Sequence, residues 1–286
     1  MKTLKLNKNI MATIVGVALA LGMASQAYAS PVFTVTPPTV QGTGSIPDYT
    51  LAPFQADFIH GQSSELLAIT SPTQLTATSG WLQFTSFSLG PTSIASGTSG
   101  LGLNTLIPFI GTATGYQLYL TFNLVADLVS GSIGGANSAY NLSSLNFNVY
   151  LDPNFDTSFT NANASTATGA TVATGTADTL LGSGSVISGI AGFDVLGGAY
   201  LNSLTTYLNT AAGSAFFTAP NPFYTLAFNE FNNTTQGVIS NPTLGLISIT
   251  NASGGADFTV PEPETLALMG LGLLGMGVSL RRRKAA

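Results

Sequence analysis

Residues 116–124 read Tyr116-Gln117-Leu118-Tyr119-Leu120-Thr121-Phe122-Asn123-Leu124. Apolar side chains stand at 116, 118, 120, 122 and 124, with Gln117, Thr121 and Asn123 between them. A period of two puts the two sets on opposite faces of an extended chain, so the stretch predicts a strand with one buried face. The alternation returns at Leu145, Phe147, Val149 and Leu151, at Phe54, Ala56 and Phe58, and at Tyr224, Leu226 and Phe228. Residues 65–70, 81–87, 244–250 and 256–260 predict further strands, rich in apolar and β-favouring side chains. Short strands parted by Gly, Pro and Asn turns indicate an all-β, β-sandwich-like single domain. Two segments read differently. Leu201, Leu204 and Leu208 have helical spacing, and residues 161–178, rich in Thr, Ala and Asn, predict an exposed loop.

Working outward, both ends of the chain read as processing segments. Lys2, Lys5 and Lys8 precede an apolar stretch from Ile10 to Met23, and Ala27-Tyr28-Ala29 supplies an A-x-A cleavage site. Residues 1–29 therefore predict a signal peptide and Ser30 the first residue of the exported chain. At the other end, residues 260–286 contain Pro261-Glu262-Pro263, a 16-residue run without charge from Thr265 to Leu280, and then Arg281, Arg282, Arg283 and Lys284. As a helix the run reaches about 24 Å, short of the ~30 Å hydrocarbon core, a gap that flanking side chains and local thinning cover. The cluster of cations belongs on the cytoplasmic side, which leaves residues 30–259 outside.

This order of elbow, apolar helix and basic cluster resembles the PEP-CTERM sorting signal of Gram-negative bacteria. The resemblance implies recognition by an exosortase, removal of the tail after transient residence in the inner membrane, and delivery to the cell surface or extracellular matrix. It also implies a cell that makes exopolysaccharide.

The charge between the two ends is one-sided. All seven Lys and Arg residues lie in the terminal segments, none between Asn9 and Leu280. Of the twelve carboxylates ten lie in the body, with a single histidine, His60. Each carboxylate there must face water, accept hydrogen bonds from N–H or hydroxyl groups, or bind a cation. Nucleic acid would repel such a body; divalent cations and neutral polar surfaces suit it. Cysteine is absent, so an apolar core must hold the exported domain without disulfides.

Three further segments resemble a narrower group, the flocculation-associated PEP-CTERM proteins of the PepA type. They are Pro53-Phe54-Gln55-Ala56-Asp57-Phe58-Ile59 with Ser64-Glu65-Leu66-Leu67, Leu151-Asp152-Pro153-Asn154-Phe155-Asp156-Thr157, and Ala219-Pro220-Asn221-Pro222-Phe223-Tyr224. That resemblance implies a surface protein that lets cells flocculate in an exopolysaccharide matrix. It carries no catalytic residues.

Residues capable of chemistry are few. Asp57, His60, Ser63 and Ser64 are neighbours in sequence, but no G-x-S-x-G elbow surrounds either serine, and His60 reads as an ordinary loop histidine. No spacing singles out a glycosidase pair of carboxylates. Asp152, Asn154 and Asp156 form a D-x-N-x-D pattern of the oxygen donors Ca²⁺ takes. Thr157 and Asn163 replace the Gly and Glu that an EF-hand needs, and an Asp-Pro-Asn turn ending a strand gives the same pattern. Trp81, Tyr119 and Tyr150 are aromatics for stacking on sugar rings or for core packing. The reading is a non-enzymatic matrix protein without a required cofactor, promoting cell aggregation with exopolysaccharide; a carbohydrate-binding module for one glycan is the alternative.

Overall fold

The strand expected around residue 120 runs from Gln117 to Ser130 and is the third of eight long strands among the described residues. The computed structural model describes residues 31–40, 49–94, 115–232 and 237–259. These residues belong to one compact unit. In chain order the long strands are β1 (Phe58–Ser71), β2 (Gln74–Leu89), β3 (Gln117–Ser130), β4 (Ser138–Asp152), β5 (Thr179–Phe193), β6 (Ala199–Thr206), β7 (Leu226–Asn232) and β8 (Leu246–Thr259). Each pairs antiparallel with the next, and β8 returns to β1 from Leu246↔Ala68 to Ala256↔Ile59.

The all-β expectation holds. The facing layers that the strand pattern suggested are joined along both sides, so the sheet closes on itself as an up-and-down barrel. Alternation along a strand cannot tell two facing sheets from one closed sheet; the pairing of β8 with β1 does. Closure also removes the free edges by which a weakly charged β protein would pair with its neighbours.

The inward face of β3 is the one its pattern predicts: Leu118, Leu120, Leu124 and Ala126 are buried. At one end of the barrel Leu118 and Leu120 join Phe84, Phe87, Val149, Leu151, Leu181 and Phe258, while Leu124 and Ala126 belong to the core of the other end. That end is capped by a three-stranded sheet, Phe217–Ala219, Phe33–Val35 and Phe54–Ala56. Phe33 and Phe217 meet Phe258 edge-on at 5.2 and 5.4 Å. Toward the other end lie Leu67, Leu75, Tyr140, Leu142, Phe193 and Ile247. Each such side chain contributes about 1.5–3 kcal/mol by leaving water, which is how a chain without disulfides holds together.

β5 escapes the hydrophobic pattern because, between Leu181 and Phe193 that join the core at its two ends, part of its packing surface is glycine. A Cβ at Gly182 would sit 2.7 Å from the Tyr207 ring, and one at Gly184 would sit 2.0 Å from the Thr206 carbonyl oxygen and 2.5 Å from Phe147. The rings fill the space a side chain would need.

Three local expectations need correction. The helical spacing of Leu201, Leu204 and Leu208 belongs to extended chain: residues 199–206 are β6, and the short helix Ala211–Phe216 begins only after the Thr210 N-cap. The inward positions of β6 include Ser203 and Thr205, both fully buried, and these polar residues hide its alternation. Asn229 of β7 satisfies them, its amide donating to Thr205 Oγ1 at 3.2 Å. The two strands expected at 244–250 and 256–260 are one, β8, with a bulge between Thr250 and Ala252 where Asn251 has a φ of 55°. Finally, residues 161–178 are no free loop. Within a strap of residues 153–178, Ser158–Thr160 and Thr171–Ala173 pair as a hairpin, and Ala162, Ala164 and Ala170 are buried. Small side chains let this low-complexity segment lie flat on the barrel.

The signal peptide (Ala27, Ala29, Ser30) and the sorting segment (Pro261, Glu262, Pro263, Arg281, Arg282, Arg283) lie outside the described residues. Among the described residues no helix is long and apolar enough to cross a membrane.

Candidate functional site

The strap brings the residues singled out in sequence together on the outside of β2, β3 and β4. Trp81 and Tyr119 are buried beneath it, and Tyr150 is half-buried. The Trp81 indole N–H donates to the Thr160 carbonyl at 2.8 Å, Phe159 packs 5.1 Å from Trp81, and Tyr119 stacks on Tyr150 at 5.4 Å. Of the two uses weighed for these rings, they serve the packing of the strap. Ser64 fastens the same segment: its hydroxyl accepts the Ala162 N–H at 2.9 Å and donates to the Ile249 carbonyl at 3.2 Å.

Where the strap leaves β4, the Asp152 carboxylate organises the turn. One oxygen accepts the N–H groups of Asn154 and Phe155 at 2.8 and 2.9 Å, and the other those of Asp156 and Thr157 at 2.8 and 2.9 Å. Phe155 takes a φ of 58°, the left-handed conformation that closes the loop. A carboxylate without a Lys or Arg in reach is thus satisfied by backbone dipoles. Asn154 directs its amide nitrogen to Thr176 Oγ1 at 2.7 Å, and Asp156 accepts from the Thr176 N–H and hydroxyl at 3.2 and 3.1 Å.

Asp178, which sequence spacing did not bring in, arrives at the end of the strap. One oxygen each from Asp152, Asp156 and Asp178 lie within 4.8 Å of one another. Asp178 accepts from the hydroxyls of Tyr119 and Thr157. Burial, then the charges of Asp152 and Asp156, raise its carboxyl above the usual range against those hydrogen bonds. Burial and the Asp178 carboxylate likewise push the Tyr119 phenol up. The cluster presents the hard oxygen donors that Ca²⁺ takes, although the oxygens of Asp152 are already engaged by N–H groups.

The serine–histidine stretch does not converge. His60 and Ser63 lie three apart on β1, and the pleat sends them to opposite faces. His60 packs outside against Phe58 with its Nε2 3.1 Å from Ser88 Oγ, while Ser63 lines the barrel interior and Ser64 lies under the strap. Burial holds the His60 ring below its ordinary pKa, against the pull of Asp57.

Beside the strap the outer wall is concave. A groove of about 740 Å³ crosses β2, β3, β4, β5 and β6. Its floor has two cross-strand rows, Thr121–Asn148–Ser183 and Asn123–Asn146–Ser185, continued by Thr206, whose hydroxyl accepts the Ser185 N–H at 3.0 Å. Thr171 and Val172 of the strap and Leu208 line it as well, and among the described residues none that lines it is charged. The polar half of the 116–124 alternation supplied part of this floor; the cross-strand register supplied the rest.

Comparison with known proteins bears on the C-terminal segment. Residues 259–284 match the family model described as the PEP-CTERM protein-sorting motif. The chain carries a PEP-CTERM sorting motif. The motif marks it as a substrate of an exosortase, exported to the cell surface or beyond. No curated protein and no solved structure matches the chain.

Proposed function

We propose that the exported body is a non-enzymatic matrix protein of a Gram-negative bacterium, anchored in the inner membrane until an exosortase processes it, that promotes flocculation together with exopolysaccharide. The observation that carries the reading is the groove: seven amide and hydroxyl side chains, aligned across adjacent strands and free of charge, on a body without a single Lys or Arg. Amides and hydroxyls both donate and accept, as sugar hydroxyls do, and an uncharged floor suits a neutral polymer. Many weak contacts along a polymer bind effectively without one tight site. The separation of His60 from Ser63 supports leaving catalysis out.

A carbohydrate-binding module for one glycan is the second reading, favoured by the defined shape of the same groove. Deleting the gene tests the first: cells should disperse while total exopolysaccharide stays unchanged, and the full chain should restore settling. Loss of the polysaccharide itself would place the protein in synthesis or export. A glycan screen of residues 30–259 separates the readings, since a module gives a saturable signal with one glycan and a matrix protein gives weak signals with several.

A further inference from the structure

The barrel is not filled. Side chains from all eight strands line an internal cavity of about 80 Å³, nearly all of them apolar, among them Leu67, Leu120, Phe122, Leu145 and Phe231. Three polar side chains of β1 and β7 reach it: Ser63, Glu65 and Asn229. Glu65 is 8% exposed, and its side-chain hydrogen bond among the described residues is a long one, 3.5 Å from Ser63 Oγ. Among the described residues no lysine, arginine or histidine lines the cavity. A carboxyl group in such a place costs several kcal/mol if ionised and more than an alkyl side chain even when neutral, so the core gains nothing from it. Burial pushes it up to about 8, which keeps it protonated at neutral pH and able both to donate and to accept. Eight-stranded barrels have an interior wide enough to be filled by side chains or to hold one small ligand, and such sites are mostly apolar with a few placed polar groups.

We propose that the barrel interior is a binding site for a small, uncharged molecule with an apolar body and one hydroxyl group, the hydroxyl seated against Glu65 and Asn229. At the ~10–15 Å³ that one water-sized sphere occupies, the cavity takes on the order of five non-hydrogen atoms. An anion finds no cation in the cavity, and a cation would have to ionise Glu65 in an apolar wall. A hydroxyl matches the protonated carboxyl as donor and acceptor at once.

The test uses the mature chain with n-butanol as probe, followed by the rise in melting temperature and by ligand-detected NMR, with n-butylammonium and butyrate at equal concentration. Expected is saturable binding of n-butanol, retained in Glu65→Gln, weakened at least tenfold in Glu65→Leu, and abolished in Ala126→Leu, which fills the cavity. Glu65→Leu replaces a buried acid by an alkyl group and should fold at least as well as the parent; its own melting curve checks that. Absence of saturable n-butanol binding, or binding indifferent to both Glu65→Leu and Ala126→Leu, overturns the proposal. Preferential binding of n-butylammonium overturns it too, because Glu65 would then act as a counter-ion.

Discussion

The Trp81 indole N–H donates to the Thr160 carbonyl at 2.8 Å, joining β2 to the strap across 79 residues of sequence. The contact fixes the strap over Tyr119 and beside the groove. Trp81→Phe should cost about 1–3 kcal/mol, since it leaves the Thr160 carbonyl unpaired, and Trp81→Ala about 3–5 kcal/mol with the lost packing. Chemical denaturation reads both. Trp81 is the one tryptophan of the chain, so its emission in the parent reports strap release directly. A Trp81→Phe protein as stable as the parent would mean that the strap is held elsewhere.

The turn at Asp152 separates a structural role from a cation role. Asp152→Ala removes the acceptor of four backbone N–H groups and should destabilise by about 3 kcal/mol or more. Asp156→Ala, at an exposed position, should cost about 1 kcal/mol or less. If the cluster of Asp152, Asp156 and Asp178 binds Ca²⁺, millimolar Ca²⁺ raises the melting temperature by mass action, and Asp156→Ala and Asp178→Asn each reduce the rise. Sodium chloride of matched ionic strength producing the same rise would reduce the effect to screening.

Glu65 predicts an unusual pH dependence. Burial raises its carboxyl from the ordinary 4.5 to about 8. Between those values the folded chain holds a proton that the unfolded chain has released, so stability falls as pH rises from about 5 to about 8, by at most ~1.4 kcal/mol per pH unit. His60 acts in the opposite sense: its pKa is lowered, so the unfolded chain binds the proton more readily near pH 6 and stability rises with pH there. The Asp178 carboxyl is raised as well and acts in the same sense as Glu65, so melting curves in a His60→Gln, Asp178→Asn background isolate the Glu65 effect. Glu65→Gln should flatten the remaining slope; an unchanged slope would place the titration elsewhere.

What the sequence revealed depended on which side chains face inward. β3 was legible because its inward face is apolar and its outward face polar. β6 was not, because Ser203 and Thr205 face inward and are satisfied by Asn229 from the next strand. β5 was hidden by glycines whose missing side chains are replaced by Tyr207 and Phe147. The Asp152 turn was legible as a local pattern, while Asp178 joins it only because the strap returns. Glu65 stands at the head of an apolar run, and only barrel closure makes its position an interior one.

Composition and the sorting motif predict the form of the exported protein. Intact mass should show a chain that begins at Ser30 and lacks Arg281, Arg282, Arg283 and Lys284. With no Lys or Arg between Asn9 and Leu280, trypsin should leave the body whole even after heating. Extracellular material that retains the basic cluster would argue against exosortase removal of the tail.

The groove makes the last prediction. Asn148 and Ser183 occupy one cross-strand row of its floor, and both face outward from strands whose inward neighbours hold the barrel together. Changing Asn148 and Ser183 together to Asp adds two negative charges to a site that has none. At outward-facing positions the stability cost should be about 1 kcal/mol or less. If the floor binds a neutral polysaccharide, the added hydration of two carboxylates and the loss of an amide and a hydroxyl should reduce co-sedimentation with purified exopolysaccharide several-fold and slow settling of complemented cells. Thr70→Asp with Thr76→Asp, on exposed or half-buried outward positions of β1 and β2 away from the groove, adds the same charge elsewhere. Equal loss from both pairs would assign the effect to net charge; loss from the groove pair alone would assign it to the groove; no loss from either would remove the groove from the function.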